Sequence, residues 1–182
     1  NPTMNDFVIL TDSSADLTQE WVDELGLEVL PLTFIMEGKS YFNYPDNREM
    51  SPDDFYQKER EGVLATTNAV NLVQATEAIE PHLQAGKDVL VLAFSSGLST
   101  TCNSLQMAAS ELTEKYPDRK VYVVDTLCAS LGQGMLVDYA CRERAKGKSI
   151  EEVRDWAEET KLHLCHWFTV NDLFFLKRGG RV

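Results

Sequence analysis

The segment VLVLAFSSGLSTTCNSL, from Val89 to Leu105, decides the predicted fold. Its first six residues, Val89 to Phe94, are apolar throughout, which is typical of a strand buried on both faces of a parallel sheet. Hydroxyl-bearing residues then surround Gly97, and apolar residues at helical spacing follow. No charged residue occurs from Val89 to Ser110, although 25% of the 182-residue chain is charged. The segment therefore predicts a buried strand, an uncharged polar loop and a helix.

The same alternation of apolar runs and helical patterns extends along the chain. Three further strands are predicted, at Phe7 to Thr11, Val29 to Ile35 and Val121 to Asp125. Helix starts are indicated by Ser51-Pro52 and by three capping boxes, Asp16 with Gln19, Asn71 with Gln74 and Ser149 with Glu152. This alternation predicts an α/β fold, a three-layer domain with a mainly parallel sheet flanked by helices on both faces.

Two parts of the chain depart from this pattern. Residues 38–50 are polar and rich in turn formers, which predicts a surface loop. Near the end of the sequence, residues 163–170 are predicted as a strand and residues 171–178 as a short helix. We therefore expect an N-terminal α/β domain at residues 1–162, and the start of a truncated C-terminal domain at residues 163–182.

The composition of the chain argues against several classes of binding partner. The formal net charge of −12 argues against nucleic-acid binding, which needs a basic face, and against anionic membrane surfaces. No apolar stretch approaches the ~20 residues that span a bilayer, so no stable membrane insertion is expected. The N-terminal residues do not resemble a signal peptide, and a cytoplasmic location is predicted. The four cysteines are interpreted as small buried hydrophobic residues, with a disulfide left open: Cys102, Cys128, Cys141 and Cys165.

Polar, uncharged residues are concentrated where predicted strands end or helices begin. The candidate binding residues are Ser13 after the first strand, Ser95, Ser96 and Gly97 after the strand that begins at Val89, and Thr67 and Asn68 before a helix. Ligands of open α/β sheets bind beyond the carboxyl ends of the strands, and helix N-termini attract anions. The pattern favours one small anionic head on an apolar body. The alternative is that these side chains only cap helices and stabilise turns.

Other chemistry has weaker support in the sequence. A phosphate-binding GxxxxGK[ST] motif is absent, and Phe94 to Gly97 lacks the first glycine of a nucleophile elbow. On a strand, His163 and Cys165 would share one face and His166 the other, so they would not converge on a metal ion. Asp12 and Asp125 are expected to bind nearby backbone. We predict no catalytic residue, no metal and no cofactor.

Five segments, in this order, resemble the DegV family of bacterial fatty-acid-binding proteins, which includes the lipid-carrying subunit of fatty-acid kinase. They are TDSSADL at 11–17, ATTNAVN at 65–71, FSSGLSTT at 94–101, VVDTLCASLGQG at 123–134 and LFFLKRGGRV at 173–182. The combination of FSSGLSTT with LKRGGR is specific. One departure is that the family's usual Thr-Ser-Gln-Pro-Ser is replaced by TNAVN at residues 67–71.

The resemblance implies a binding protein and not an enzyme. It implies a long-chain fatty acid whose carboxylate is held by Thr67, Ser96 and nearby backbone N–H groups, and which is presented to a separate ATP-binding kinase subunit. Two other hypotheses stay open from the residues themselves. One is a phosphotransferase-like enzyme domain that binds a phosphorylated substrate at the same strand ends, and the other is a structural or interaction module with an acidic surface.

Two geometric expectations complete the prediction. If one headgroup binds both Thr67 and Ser96, their hydroxyls should lie within about 10 Å of each other in the fold. Residues 173–176, which are four consecutive bulky apolar residues, are expected to need a cover and to promote self-association of the truncated chain.

Overall fold

A computed structural model describes residues 7–165 of the chain. The strands are β1 (Phe7–Asp12), β2 (Glu28–Leu30), β3 (Thr33–Met36), β4 (Lys39–Phe42), β5 (Ala65–Asn68), β6 (Asp88–Ala93) and β7 (Val121–Asp125). The helices are α1 (Gln19–Leu25), α2 (Pro52–Arg60), α3 (Leu72–Gln84), α4 (Thr101–Lys115), α5 (Ser130–Ala145) and α6 (Ile150–Cys165), with a short 3-10 helix at Ser13–Ala15.

The central sheet has four parallel strands in the order β2-β1-β6-β7. Residues on β6 alternate between two apolar cores. Leu90 and Leu92 face a core that includes side chains of α1, α5 and α6, whereas Val89 and Val91 face a core built with α3 and α4. Helices therefore cover both faces of the sheet, and the predicted three-layer α/β fold is confirmed.

A second sheet was not predicted. It is antiparallel, has the order β4-β3-β5 and includes the segment of Thr67. The single strand predicted from Val29 to Ile35 is wrong, because the chain leaves the parallel sheet after Leu30 and enters the second sheet at Thr33. Pro31, which has no N–H to donate to a ladder, lies at this break. The loop predicted at residues 38–50 contains β4.

Most predicted helix starts are confirmed. The capping box of α3 is complete, because Asn71 accepts from the Gln74 N–H at 2.8 Å and Gln74 accepts from the Asn71 N–H at 3.0 Å. The equivalent pair precedes α6, and Ser51 caps α2. The box predicted at Asp16 is wrong, since α1 begins after Thr18, whose hydroxyl accepts from a backbone N–H.

The cysteines differ from one another. Cys102 and Cys141 are buried free thiols, as predicted, and burial raises their pKa values to about 12 and about 11. Cys128 is disulfide-bonded, so the alternative left open by the sequence holds for this residue.

The C-terminal part of the chain is only partly described. The predicted strand that begins at His163 is wrong as far as Cys165, because those residues continue α6. The rest of that prediction, the helix at 171–178 and the apolar residues 173–176 lie outside the described residues. The division into domains at residue 162 stays a prediction.

Candidate ligand-binding site

The loops that follow β1, β6 and β7 are bonded to one another at the carboxyl edge of the parallel sheet. Asp12, the last residue of β1, accepts a hydrogen bond from the Phe94 N–H in the loop after β6, at 2.8 Å. The next residue of that loop, Ser95, donates its N–H to the Cys128 carbonyl after β7, at 2.9 Å. These cross-loop bonds fix the backbone on which the candidate residues lie.

Asp12 is a structural anchor within this edge. It is fully buried and also accepts from the Ser14 N–H at 3.1 Å and from Gln133 Nε2 at 3.2 Å. Burial raises the pKa of Asp12, and the hydrogen bonds from Ser14, Phe94 and Gln133 partly oppose this effect. Gln133 lies on α5, so the network ties the turn after β1 to that helix.

The turn after β1 also requires a glycine on α5. A Cβ atom at Gly134 would lie 2.7 Å from the Ala15 carbonyl oxygen and 3.3 Å from Leu17 Cδ2. Real Cβ atoms do not approach a backbone oxygen this closely, so the turn can pack against α5 here only because residue 134 has no side chain. Together with Gln133, this contact holds Ser13 and Ser14 in one place.

A cavity of about 150 Å³ lies beside the loop after β6. Thr67 and Asn68 of β5 line it, together with Leu32, Ala69, Phe94, Leu98, Ser99 and Thr100. No charged side chain is among these lining residues. The cavity therefore combines hydroxyl and amide groups with an apolar wall.

The start of α4 borders the same cavity. Ser99 Oγ accepts from the Thr101 N–H at 3.1 Å, and Thr101 Oγ1 accepts from the Val70 N–H at 3.1 Å. The second bond ties the connection between β5 and α3 to the first residue of α4, which runs for 15 residues. Thr67 is thus held near a helix N-terminus, where the helix dipole favours a negative charge.

Ser96 is directed at a carboxylate of the protein. Its hydroxyl donates to Asp125 Oδ2 in a short contact, and its N–H donates to Asp125 Oδ1 at 3.2 Å. Ser96 is exposed and does not line the cavity of Thr67, but its loop neighbours Phe94 and Leu98 do. The expected proximity of the Thr67 and Ser96 hydroxyls stays a prediction.

The other candidate residues have structural contacts. Ser95 is buried, and its hydroxyl accepts from the Gly97 N–H at 3.2 Å. A Cβ atom at Gly97 would meet Ser95 Oγ at 3.5 Å, an ordinary contact, so the described residues do not require a glycine at this position. Ser13 accepts from the Leu32 N–H at 2.8 Å and lines a separate cavity of about 180 Å³ with Asp16 and other residues.

The sequence located some parts of this edge and missed others. Asp12 and Asp125 bind nearby backbone N–H groups, as expected. Asp12 accepts from the Ser14 N–H, and Asp125 accepts from the Leu127 N–H at 3.1 Å. Leu32 was missed as a lining residue, since it lies in the unpredicted break between β2 and β3. Gln133 was missed as a buried partner of Asp12. The only sequence signal for it is its position between two glycines in LGQG.

Within residues 7–165, no group of three or more His, Cys, Asp or Glu side chains is placed to hold a metal ion. No helix in this range is both long enough and apolar enough to cross a bilayer.

Comparison with protein families gives one match over nearly the whole chain. Residues 6–182 match the model of a family described as "Uncharacterised protein, DegV family". A DegV domain-containing protein of Clostridium perfringens is 47% identical over 179 residues, which is 98% of this chain and 61% of that protein. One from Streptococcus pyogenes is 38% identical over 176 residues, or 97% of this chain and 61% of that protein. The chain thus spans about three fifths of these relatives.

Solved structures show the same fold. A fatty-acid-binding DegV family protein from Thermus thermophilus superposes with a TM-score of 0.78 at 35% identity, over 97% of this chain and 60% of that one. A Thermotoga maritima protein, whose structure is reported to reveal a fatty-acid-binding function, gives a TM-score of 0.73 at 32% identity, over 85% of this chain and 54% of that one.

Proposed function

Because this chain belongs to the DegV family, we propose that it binds a long-chain fatty acid whose carboxyl group enters the cavity lined by Thr67. The observation that carries the proposal is the composition of this cavity. Its walls hold hydroxyl and amide groups without any charge, and it borders the N-terminus of α4. Two relatives with the same fold are reported to bind fatty acids.

In this proposal, several uncharged hydrogen-bond donors together hold the carboxyl headgroup. Thr67 and Asn68 offer a hydroxyl and an amide from β5, and the first turn of α4 adds its dipole. Ser96, with Ser95 and Gly97, belongs to the loop whose residues Phe94 and Leu98 line the cavity, and the proposed site includes the Ser96 hydroxyl once it turns from Asp125 to the ligand. Ser13 supports this site indirectly, since it holds the Leu32 N–H at the cavity wall.

The acyl chain needs more room than the cavity offers. A cavity of about 150 Å³ is of the size that holds a benzene molecule, so it has room for a carboxyl group and a few methylenes. The remaining carbons would be covered by further parts of the protein, in agreement with the predicted second domain after residue 162.

The protein would act as a carrier and not as an enzyme. We propose, as the family resemblance implies, that it presents the acid to a separate ATP-binding kinase subunit. The cytoplasmic location predicted from the sequence is part of the same proposal. Nothing among the described residues favours the phosphotransferase-like alternative: His82 is paired with Glu28, and His163 lies on α6.

The proposal is tested by extraction of co-purified lipids from the purified full-length protein, followed by mass spectrometry. We expect long-chain acids in near-stoichiometric amount. Thr67→Val should lower this amount, because valine keeps the shape and loses the hydroxyl. The matched control is Thr113→Val on α4, since Thr113 bonds only within its own helix in the described structure, to the Ala109 and Ser110 carbonyls. Recovery of sugar phosphates, or of no ligand, would contradict the proposal.

A second experiment addresses Ser96. Ser96→Ala should weaken acid binding by about 1–3 kcal/mol, the usual cost of removing a partner from a charged group. Unchanged affinity in calorimetry would remove Ser96 from the headgroup site.

A further inference from the structure

Ser99 and Thr101 form a pair of hydroxyl groups at the start of α4. Their oxygens, Ser99 Oγ and Thr101 Oγ1, lie 2.9 Å apart, a distance at which either hydroxyl could donate. Ser99 Oγ also accepts the Thr101 N–H at 3.1 Å, and Thr101 Oγ1 accepts the Val70 N–H at 3.1 Å. Thr101 is fully buried, whereas Ser99 is partly buried and lines the cavity of Thr67.

The burial of Thr101 decides which hydroxyl donates. A hydroxyl proton that is buried without an acceptor costs the desolvation of its group. Within residues 7–165, Ser99 Oγ is the acceptor that lies within hydrogen-bond distance of the Thr101 hydroxyl. Thr101 therefore donates to Ser99, and it uses a lone pair of its own oxygen to accept the Val70 N–H.

This direction leaves Ser99 with one role toward a ligand. A serine oxygen has two lone pairs, and those of Ser99 accept the N–H and the hydroxyl of Thr101. Neither bond uses the proton of Ser99. Ser99 therefore offers the cavity a donor and no acceptor, which suits a head group that only accepts hydrogen bonds, such as an ionised carboxylate.

We propose that Ser99 donates a hydrogen bond to the carboxylate of the bound acid, and that Thr101 is the positioning residue that fixes Ser99 in this role. The inference rests on the proposed function, because it takes the cavity of Thr67 as the headgroup site. A carboxylate has two oxygens, so one accepts from Thr67 while the other accepts from Ser99 on the same cavity wall. Hydrogen bonds to charged groups are stronger than those to neutral groups, so the cavity favours an ionised head over a neutral one.

The experiment is calorimetric titration of the full-length protein with decanoic acid and with 1-decanol, which carry chains of the same length. The measured quantity is the ratio of the two affinities. Ser99→Ala should lower this acid-to-alcohol ratio about tenfold, because the lost bond is stronger to a charged head than to a neutral one. The control Ser110→Ala, at an exposed position on the same helix, should keep the ratio of the wild type.

Two substitutions at position 101 test the positioning role. Thr101→Val releases one lone pair of Ser99, which can then accept the proton of the alcohol, so the acid-to-alcohol ratio should fall severalfold. Thr101→Ser keeps the hydroxyl and should keep the ratio. If Thr101 and Ser99 only brace the start of α4, each substitution would weaken the binding of both ligands equally, and the ratio would not change.

The outcomes separate the inference from the proposed function. An unchanged ratio in Ser99→Ala overturns the inference and leaves fatty-acid binding intact, and an unchanged ratio in Thr101→Val overturns the positioning role. The wild type gives a test that needs no variant: a crystal structure with decanoic acid should place a carboxylate oxygen within about 3.0 Å of Ser99 Oγ, and a distance above about 3.5 Å overturns the inference. If neither decanoic acid nor a longer acid binds the wild type, the proposed function fails and the inference fails with it.

Discussion

Replacement of Gly134 by alanine tests how the turn after β1 is held against α5. The added Cβ would lie 2.7 Å from the Ala15 carbonyl oxygen, about 0.7 Å short of the 3.4 Å at which ordinary contacts begin. The contact is with backbone, and Leu17 Cδ2 lies at 3.3 Å, so either the turn or the helix must shift. Overpacking of this kind costs about 1–3 kcal/mol.

The matched control lies two residues earlier on the same helix. At Gly132 a Cβ would meet only ordinary contacts, of which Cys128 Sγ at 3.6 Å is the nearest. Both substitutions gain up to about 1 kcal/mol of helix propensity, so this gain largely cancels in a comparison of the two variants. We expect Gly134→Ala to be less stable than Gly132→Ala by about 1–3 kcal/mol in urea denaturation with an unchanged m-value. Equal stability of the two variants would refute the close contact with Ala15.

Three further predictions concern stability and reactivity. Asn71→Ala removes the capping box of α3 and should lower the free energy of unfolding by about 1 kcal/mol, measured by urea denaturation; no change would mean that the bonds with Gln74 contribute nothing. Because burial raises the pKa of Asp12 above its unfolded value of about 3.9, its stabilising contribution is complete below that pH and is lost as the pH rises through the folded pKa. The difference in unfolding free energy between wild type and Asp12→Asn should therefore shrink as the pH rises from 4 to 7, and a constant difference would contradict this. Burial raises the pKa values of Cys102 and Cys141 to about 12 and about 11, so alkylation at pH 8, followed by mass spectrometry, should modify both only after unfolding.

The parallel sheet could be predicted because its strands are buried on both faces. The predicted strand from Val121 to Asp125 coincides with β7, and the one from Val89 to Phe94 differs from β6 by one residue at each end. Continuous apolar runs and capping boxes are local sequence patterns, and the elements that they predict are present in the folded chain. The strand-end positions of Ser96 and Asp125 followed directly from these elements.

The second sheet could not be predicted because its strands carry little apolar signal. β5 has the sequence ATTN, and none of its residues is fully buried, so its membership depends on pairing with β3 and not on its own composition. The place of Thr67 in the cavity depends on this pairing. The partnership of Ser96 with Asp125 likewise spans 29 positions and has no sequence pattern of its own.

The position of the bound carboxyl group tests the central claim most directly. A crystal structure of the full chain with a fatty acid that carries bromine at its terminal carbon would distinguish head from tail by anomalous scattering. We predict a carboxyl oxygen within about 3.2 Å of Thr67 Oγ1, in the cavity that also includes Ser99 and borders α4. A carboxyl group located elsewhere, such as the separate cavity of Ser13, or bromine in place of the head beside Thr67, would contradict the account.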